Sequence, residues 1–116
     1  MTLIPHSEIR NVKGITSTET LRIYDYLQGA VYCWCKNRLD EWFSVRDLFG
    51  GENFDWNGTP MIVLFIKHQN KGKSNDQAIT DAGKDAGWIL KKIIDDDQRE
   101  FETKKEDLVR KYRWKK

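Results

Sequence analysis

Residues 74–116, SNDQAITDAGKDAGWILKKIIDDDQREFETKKEDLVRKYRWKK, decide the fold expected of this chain. Their first half repeats apolar residues at spacings of three and four, which predicts an amphipathic helix capped by Ser74 or Asn75. The apolar positions are Ile79, Ala82, Ala86, Leu90 and Ile93. Three aspartates at 95–97 would stand at the negative end of the helix dipole, so we expect the helix to stop there.

The second half of this stretch predicts a β-hairpin. Residues 99–103 place Phe101 among charged side chains, and residues 108–114 alternate well enough to pair with them. Residues 104–107 are then expected to form the loop between the strands. The chain should therefore end in a two-stranded antiparallel hairpin.

The first half of the long helix is rich in small residues, which indicates that another helix approaches closely there. Each glycine in a helix costs about 1 kcal/mol of helix propensity relative to alanine. The small residues are Ala78, Ala82, Gly83, Ala86 and Gly87.

Upstream of this stretch, Thr16 and Glu19 have the spacing of a capping box, which predicts a helix running to about residue 38. Its periodic apolar positions are Leu21, Tyr24, Leu27, Val31 and Trp34. Further apolar residues lie between them, so we expect this helix to be apolar around much of its circumference and central in the core.

Trp42 and Phe43 have the composition of a very short strand. Ser44 and Asp47 then repeat the cap-and-acid pattern, which predicts a short helix that the glycines at 50–51 end.

The turn-rich loop that follows carries Phe54 and Trp56, which we expect to pin it to the body of the protein. Residues 60–69 are ambiguous between strand and helix. Their β-branched content is typical of a buried strand, whereas Thr59 followed by Pro60 is typical of a helix start, and we favour the helix.

Composition bounds the fold class. The 116 residues are 39% hydrophobic and 12% aromatic, with five Trp, which is enough for one core. We predict an α+β, mostly helical protein of three to four helices and the hairpin, with residues 1–15 as an N-terminal arm and residues 16–116 as a single domain. No apolar run approaches the roughly 18 to 20 residues of a membrane span, so we expect no membrane contact and a cytoplasmic location.

The cysteines and histidines predict no metal site and no cofactor. Cys33 and Cys35 are too close for an ordinary disulfide, and with His6 and His68 they lack zinc-ligand spacing. On a helix the two cysteines would point to different sides, and buried small apolar residues are favoured. We expect His68 at the surface or at a helix end, and no catalytic set is recognisable.

Charge is distributed unevenly along the chain. Residues 1–98 hold 12 basic and 14 acidic side chains, whereas residues 99–116 hold 8 basic and 4 acidic ones. The strand expected over residues 108–114 is basic and carries aromatic rings between its charges, and such a strand can follow a phosphate backbone. A solvated strand whose aromatic side chains pack on the core explains this composition equally well. The candidate phosphate contacts are Lys104, Lys105, Arg110, Lys111 and Arg113; the candidate base contacts are Tyr112, Lys91 and Lys92.

The order of elements resembles the winged-helix layout, in which a helical core with a helix-turn-helix element is followed by a two-stranded wing. The resemblance rests on the short helix after Ser44, the long helix ending near Asp95, and residues 99–103 and 108–114. It implies a small nucleic-acid-binding domain, DNA in the first place, with a regulatory role.

Two features differ from that layout. One extra helix is predicted between residues 59 and 72, and the long helix carries Asp76, Asp81 and Asp85, which would repel phosphate if they faced it.

A protein-interaction or assembly module is the alternative function. It would pair with a second copy or another protein through an aromatic surface of Trp56, Trp88 and Trp114, with the basic tail serving solubility.

A Mg²⁺-dependent nuclease is the third hypothesis. Glu102 and Lys104 resemble the Glu-x-Lys half of a nuclease motif, and the aspartates at 95–97 would supply a second carboxylate. Whether the chain is an enzyme stays open at this point.

Overall fold

The computed structural model describes residues 9–49, 55–106 and 109–115. They form four helices followed by a two-stranded antiparallel sheet, which confirms the predicted α+β, mostly helical class. The helices are α1 (Ser17–Asn37), α2 (Val45–Leu48), α3 (Ile62–Gln69) and α4 (Asn75–Asp96); the strands are β1 (Phe101–Glu106) and β2 (Val109–Trp114).

The predicted helix starts are confirmed by their hydrogen bonds. The Thr16 hydroxyl accepts from the Glu19 N–H at 3.1 Å, and the Glu19 carboxylate accepts from the Thr16 N–H at 2.8 Å. Ser44 and Asp47 form the same reciprocal pair before α2. Ser74 caps α4 by accepting from the backbone N–H three residues on. These bonds satisfy donors that a helix leaves unpaired at its first turn.

Residues 62–69 form a helix, so the ambiguity between strand and helix is settled in favour of the helix. The helix begins later than Thr59 and Pro60 predicted, because its N-cap is Met61. The Thr59 hydroxyl accepts from the Met61 N–H at 3.2 Å in the turn before it. Met61, Leu64 and His68 are buried, and their spacing of three and four puts them on one side of a helix.

The buried stripe of α1 is narrower than predicted. It consists of Ile23, Leu27, Val31 and Cys35, one residue per turn. Leu21, which belongs to the predicted periodic face, is 64% exposed. The sequence of α1 is apolar around much of its circumference, but only this stripe is in the core, because the other elements pack against one side of the helix.

The small residues of α4 divide into two groups. Ala78, Ala82 and Ala86 are fully buried in the core, as close packing requires. Gly83 and Gly87 are not in contact with another helix, since a Cβ at either position would meet no neighbouring atom of the described residues within 4 Å. The expectation of close helix packing is therefore wrong for the glycines, which leave one face of α4 open.

The first strand of the hairpin lies closer to the tip than predicted, since β1 begins at Phe101 instead of residue 99 and continues to Glu106. The register of the hairpin runs from Phe101 opposite Trp114 to Glu106 opposite Val109. Lys104 and Lys105 lie in β1, so the expectation that they belong to a loop is wrong; residues 107 and 108 lie outside the described residues. A run of charged residues in a sequence is typical of a loop. In this hairpin the charged residues belong to a strand, and most of their side chains extend from it into solvent or into a groove.

A single bridge fastens the hairpin to the helices. Phe43 and Tyr112 exchange two backbone hydrogen bonds of 2.8 Å, which confirms a minimal strand at this position. The Phe43 ring also lies 5.9 Å from the Tyr112 ring and 6.2 Å from the Phe101 ring. The hairpin and the helices therefore share one core.

Of the predicted N-terminal arm, the structure describes residues 9–15. They form no helix or strand and lie against the core, which partly buries Ile9, Val12 and Ile15.

Trp56 is 7% exposed, so it fixes its loop to the body of the protein as expected. Phe54 and the glycines at 50–51 lie outside the described residues. No helix in the described part of the chain is long and apolar enough to cross a membrane.

Candidate functional site

A groove of about 520 Å³ lies between α2, the open face of α4 and the hairpin. Among the described residues that line it there are five cationic side chains and no carboxylate. The cations are Arg46, Lys84, Lys91, Lys105 and Arg110. We call this feature the basic groove.

Each element brings its cations to the basic groove for a local reason. Lys84 and Lys91 are seven residues apart, which is two turns of α4, so they share a face. Lys105 and Arg110 are directly opposite each other in the hairpin, so both side chains lie on the same face of the sheet. Arg46 comes from the first turn of α2, on the facing side of the groove.

Three of the five cations that line the basic groove have no acidic partner among the described residues. Arg46, Lys84 and Lys105 form no ion pair with any carboxylate in the described part of the chain. Lys105 lies directly opposite Arg110, a residue of the same charge, and like charges in opposed positions destabilise a sheet.

The opposite face of the hairpin carries the other three predicted phosphate contacts, and each of them is paired with a glutamate. These are Lys104, Lys111 and Arg113. The two lysines pair with Glu106 at 3.4 and 3.2 Å, and the arginine pairs with Glu102 at 3.1 Å. Hydrogen bonds from these two lysines lower the pKa of the Glu106 carboxyl. The Trp42 ring also lies 4.3 Å from Lys104 and 4.7 Å from Arg113.

Lys92 and Tyr112, two of the three predicted base contacts, offer little to a ligand in the groove. Lys92 pairs with Asp96 at 3.3 Å on the surface of α4 and does not line the basic groove. Tyr112 lines the groove but is only 1% exposed, so its contact with a base stays a prediction that its burial does not favour. The alternation along β2 places its ring against Phe43 in the core, whereas Arg110 leaves the same face nearer the tip.

Sequence reasoning missed Arg46 and Lys84. The seven-residue spacing between Lys84 and Lys91 is a signal that could have found the second residue. No sequence signal indicates Arg46, because only the tertiary fold brings α2 beside the hairpin.

The acidic residues of α4 do not oppose this charge, because two of them turn toward α3. Asp81 binds the Lys73 ammonium at 2.7 Å, and this bond, with one from Gln77, lowers the pKa of the Asp81 carboxyl. Asp85 is buried beneath α3. Asp76 is exposed in the first turn of α4, where a negative charge favours the helix dipole.

Asp85 is the centre of a buried polar network. Its Oδ2 lies 2.8 Å from Lys67 Nζ and 2.8 Å from His68 Nε2. Lys73 Nζ lies 2.8 Å from His68 Nδ1. Because an ammonium can only donate, this contact assigns the acceptor role to Nδ1 and the proton to Nε2, which donates to Asp85. His68 is at a helix end, as one of the two expectations had it, but it is buried and not at the surface.

A second cavity of about 740 Å³ adjoins this network. It lies between residues 10–13, α3 with the turn that follows it, and α4. Basic residues dominate its lining: Arg10, Lys13, Lys67, Lys71, Lys73 and Lys84, against Asp81 and Asp85. Lys84 and Trp88 line both this cavity and the basic groove.

The cysteines point to different sides of α1, as predicted. Cys33 is exposed and Cys35 is buried, so the expectation of buried small residues is correct for Cys35 and wrong for Cys33. Burial raises the pKa of the Cys35 thiol despite a lowering effect of Arg99. Within the described residues no three His, Cys, Asp or Glu side chains are grouped closely enough to hold a metal ion.

The carboxylates of the nuclease hypothesis are engaged with arginines. Glu102 pairs with Arg113, and Asp97 pairs with Arg99 at 2.7 Å. Burial alone would raise the pKa of the Asp97 carboxyl, but hydrogen bonds from Arg99 and Gln28 outweigh it and lower this pKa. The nuclease hypothesis stays a prediction without a supporting contact.

The aromatic surface of the interaction-module hypothesis is smaller than expected. Trp56 is buried, so its assignment to an exposed surface is wrong. Trp88 and Trp114 are half-buried, and Arg10 covers the Trp88 ring at 5.4 Å.

No family model, no curated protein and no solved structure matches this chain. The winged-helix resemblance therefore stays a prediction.

Proposed function

We propose that this protein binds nucleic acid through the basic groove. The observation that carries the proposal is that three elements bring five cationic side chains to one groove. Among the described residues, no carboxylate lines this groove. Each phosphate that such a surface neutralises releases counterions, which favours binding strongly at low salt.

Apolar side chains in the same groove complement these charges. Phe49 and Trp56 line it beside α2, and their rings pack edge to face at 6.4 Å. Val45 and Val109 complete the apolar wall. Nucleic acid presents both chemistries, since it carries phosphates along its backbone and flat apolar faces on its bases. The hairpin beside α4 also resembles a wing, which supports the same class of ligand.

Two pairs of neighbouring lysines provide a matched test. Lys91 and Lys105 line the basic groove, whereas their chain neighbours Lys92 and Lys104 face elsewhere. The double variants Lys91→Ala/Lys105→Ala and Lys92→Ala/Lys104→Ala remove the same charge from the same two elements. The first removes it from the groove, and the second removes it from surfaces where the lysines pair with Asp96 and Glu106.

Binding to DNA and RNA oligonucleotides should be measured by fluorescence anisotropy across about 50 to 200 mM salt. If each groove lysine contacts one phosphate, the groove variant should reduce the slope of log K against log salt by about 1.4 to 1.8, and the control variant should leave it nearly unchanged. Equal loss in both variants would contradict the assignment to the groove. No binding at low salt would overturn the proposal and leave the interaction-module alternative.

A further inference from the structure

The floor of the basic groove is a bare stretch of helix. Gly83 and Gly87 both face it, and a Cβ at either position would meet no neighbouring atom of the described residues within 4 Å. Nothing in the described structure requires glycine there sterically, and each costs helix stability relative to alanine. The two glycines leave space directly above the α4 backbone.

This floor is recessed and not projecting. The residues of α2 and the hairpin rise on either side of it, so this face of α4 cannot enter the major groove of a duplex in the way a recognition helix does. An unpaired strand can enter, because its bases are free to turn into the groove and stack on an aromatic ring. Half-buried Trp88 lines the groove and supplies such a ring, whereas Trp56 is 7% exposed and Phe49 is stacked on Tyr26 at 5.5 Å.

Positive charge continues beyond the groove along α4. Lys84 and Trp88 border both cavities, and beyond them lie Arg10, Lys13 and Lys71. From Lys91 to Lys84 the helix advances by seven residues, about 10 Å, and the second cavity extends this path further.

We propose that the ligand of the basic groove is an unpaired nucleic-acid strand that seats its bases over Gly83 and Gly87 and crosses Lys84 and Trp88 into the second cavity. This inference rests on the proposed function and names the form of nucleic acid that the site selects. DNA and RNA strands share the chemistry that the site recognises.

The first test compares a single strand with a duplex of the same sequence and length, in DNA and in RNA form, at low salt. We expect at least one single strand to bind about tenfold more tightly than its duplex, the contribution of about one stacked base. Tighter binding of the RNA form would indicate contacts to the 2′-hydroxyl. Duplexes that bind as well as both single strands would overturn this inference and leave the proposed function standing. No binding of any form would overturn both.

The second test fills the floor of the groove. Gly87→Leu places a side chain in the open space, and Gly29→Leu is its matched control, because Gly29 is also inside a helix with nothing near its Cβ and lines neither cavity. Both variants should keep or raise the unfolding midpoint, since leucine favours helix over glycine. Single-strand affinity should fall about tenfold in Gly87→Leu only. Unchanged affinity in that variant would refute the seating of bases over α4.

The third test measures the length of the track. Lys13→Ala/Lys71→Ala should weaken binding of a strand of about twelve nucleotides and leave a strand of about four unaffected, because only the longer one reaches the second cavity. The control Lys36→Ala/Lys92→Ala removes two lysines that line neither cavity. Equal effects on both lengths, or of both variants, would contradict the continuous track.

Discussion

Replacing Asp85 by alanine should destabilise the protein more than any single surface charge does. The Asp85 side chain is 6% exposed, and its partners Lys67 and His68 are 8% and 7% exposed. Without the carboxylate, an ammonium and an imidazole N–H lose their acceptor inside the protein, at a cost of about 3 to 5 kcal/mol. Domains of this size are stable by about 5 to 15 kcal/mol, so a third or more of that margin can be lost.

Urea unfolding followed by tryptophan fluorescence measures this cost. The control is Asp76→Ala, which removes an exposed aspartate from the first turn of the same helix and should cost about 1 kcal/mol or less. In thermal unfolding Asp85→Ala should lower the Tm by about 10 to 20 °C. An Asp85→Ala variant that is as stable as Asp76→Ala would refute the argument.

A second variant separates the loss of the ion pair from the loss of packing. Lys67→Met in the Asp85→Leu background replaces the buried pair by apolar side chains, and such replacements are often neutral or stabilising. It should be more stable than Asp85→Leu alone by about 2 kcal/mol, although His68 still lacks its acceptor. If the double variant is no more stable than Asp85→Leu, the loss of the carboxylate partner of Lys67 is not what destabilises the single variant.

Three further outcomes follow from single positions. A thiol reagent should modify Cys33 in the native protein and Cys35 only on unfolding, because the second thiol is buried with a raised pKa; two equal native rates would contradict this. The pKa of Asp97 is lowered, so its carboxylate contributes stability at pH values above the unfolded-state pKa of about 3.9. This contribution is lost as the pH falls through the folded-state pKa. Asp97→Asn should therefore be less stable than the parent protein at pH 7, and the difference should shrink in acid. Gly87→Ala should raise the free energy of unfolding by about 0.5 to 1 kcal/mol in the same assay. Gly14→Ala should lower it by about 1 kcal/mol or more. The reason is that Gly14 has φ +86° and that its added Cβ would lie 3.1 Å from a side-chain carbon of Lys67 in α3.

Local signals predicted most of the fold. The starts of α1, α2 and α4 followed from caps whose hydrogen bonds join residues only three apart, so no knowledge of the rest of the chain was needed. The end of α4 near Asp96 followed from repulsion within one turn. Alternation in the last residues likewise predicted the hairpin, although its charged tip hid how far the strands extend.

The candidate site was predicted only in part. Lys105 and Arg110 came from the basic composition of residues 99–116, and Lys91 came from its place near the end of α4; all three line the basic groove. Lys104 and its neighbours on the other face of the hairpin do not, because alternation sends them to the side where Glu102 and Glu106 pair with them. The composition gives only the number of charges. The face of the strand on which each side chain lies decides which charges line the same groove.

The sequence by itself determined where α1, α2 and α4 begin, that the chain ends in a hairpin, and that it is mostly helical with a basic end. Its information is local, since caps, periods and alternation act over a few residues. Only the tertiary structure brought Arg46 of α2 beside Arg110 of β2, turned Asp85 toward Lys67, and left Gly83 facing an open groove. Those contacts join residues far apart in the chain, and packing in three dimensions alone decides which of them meet.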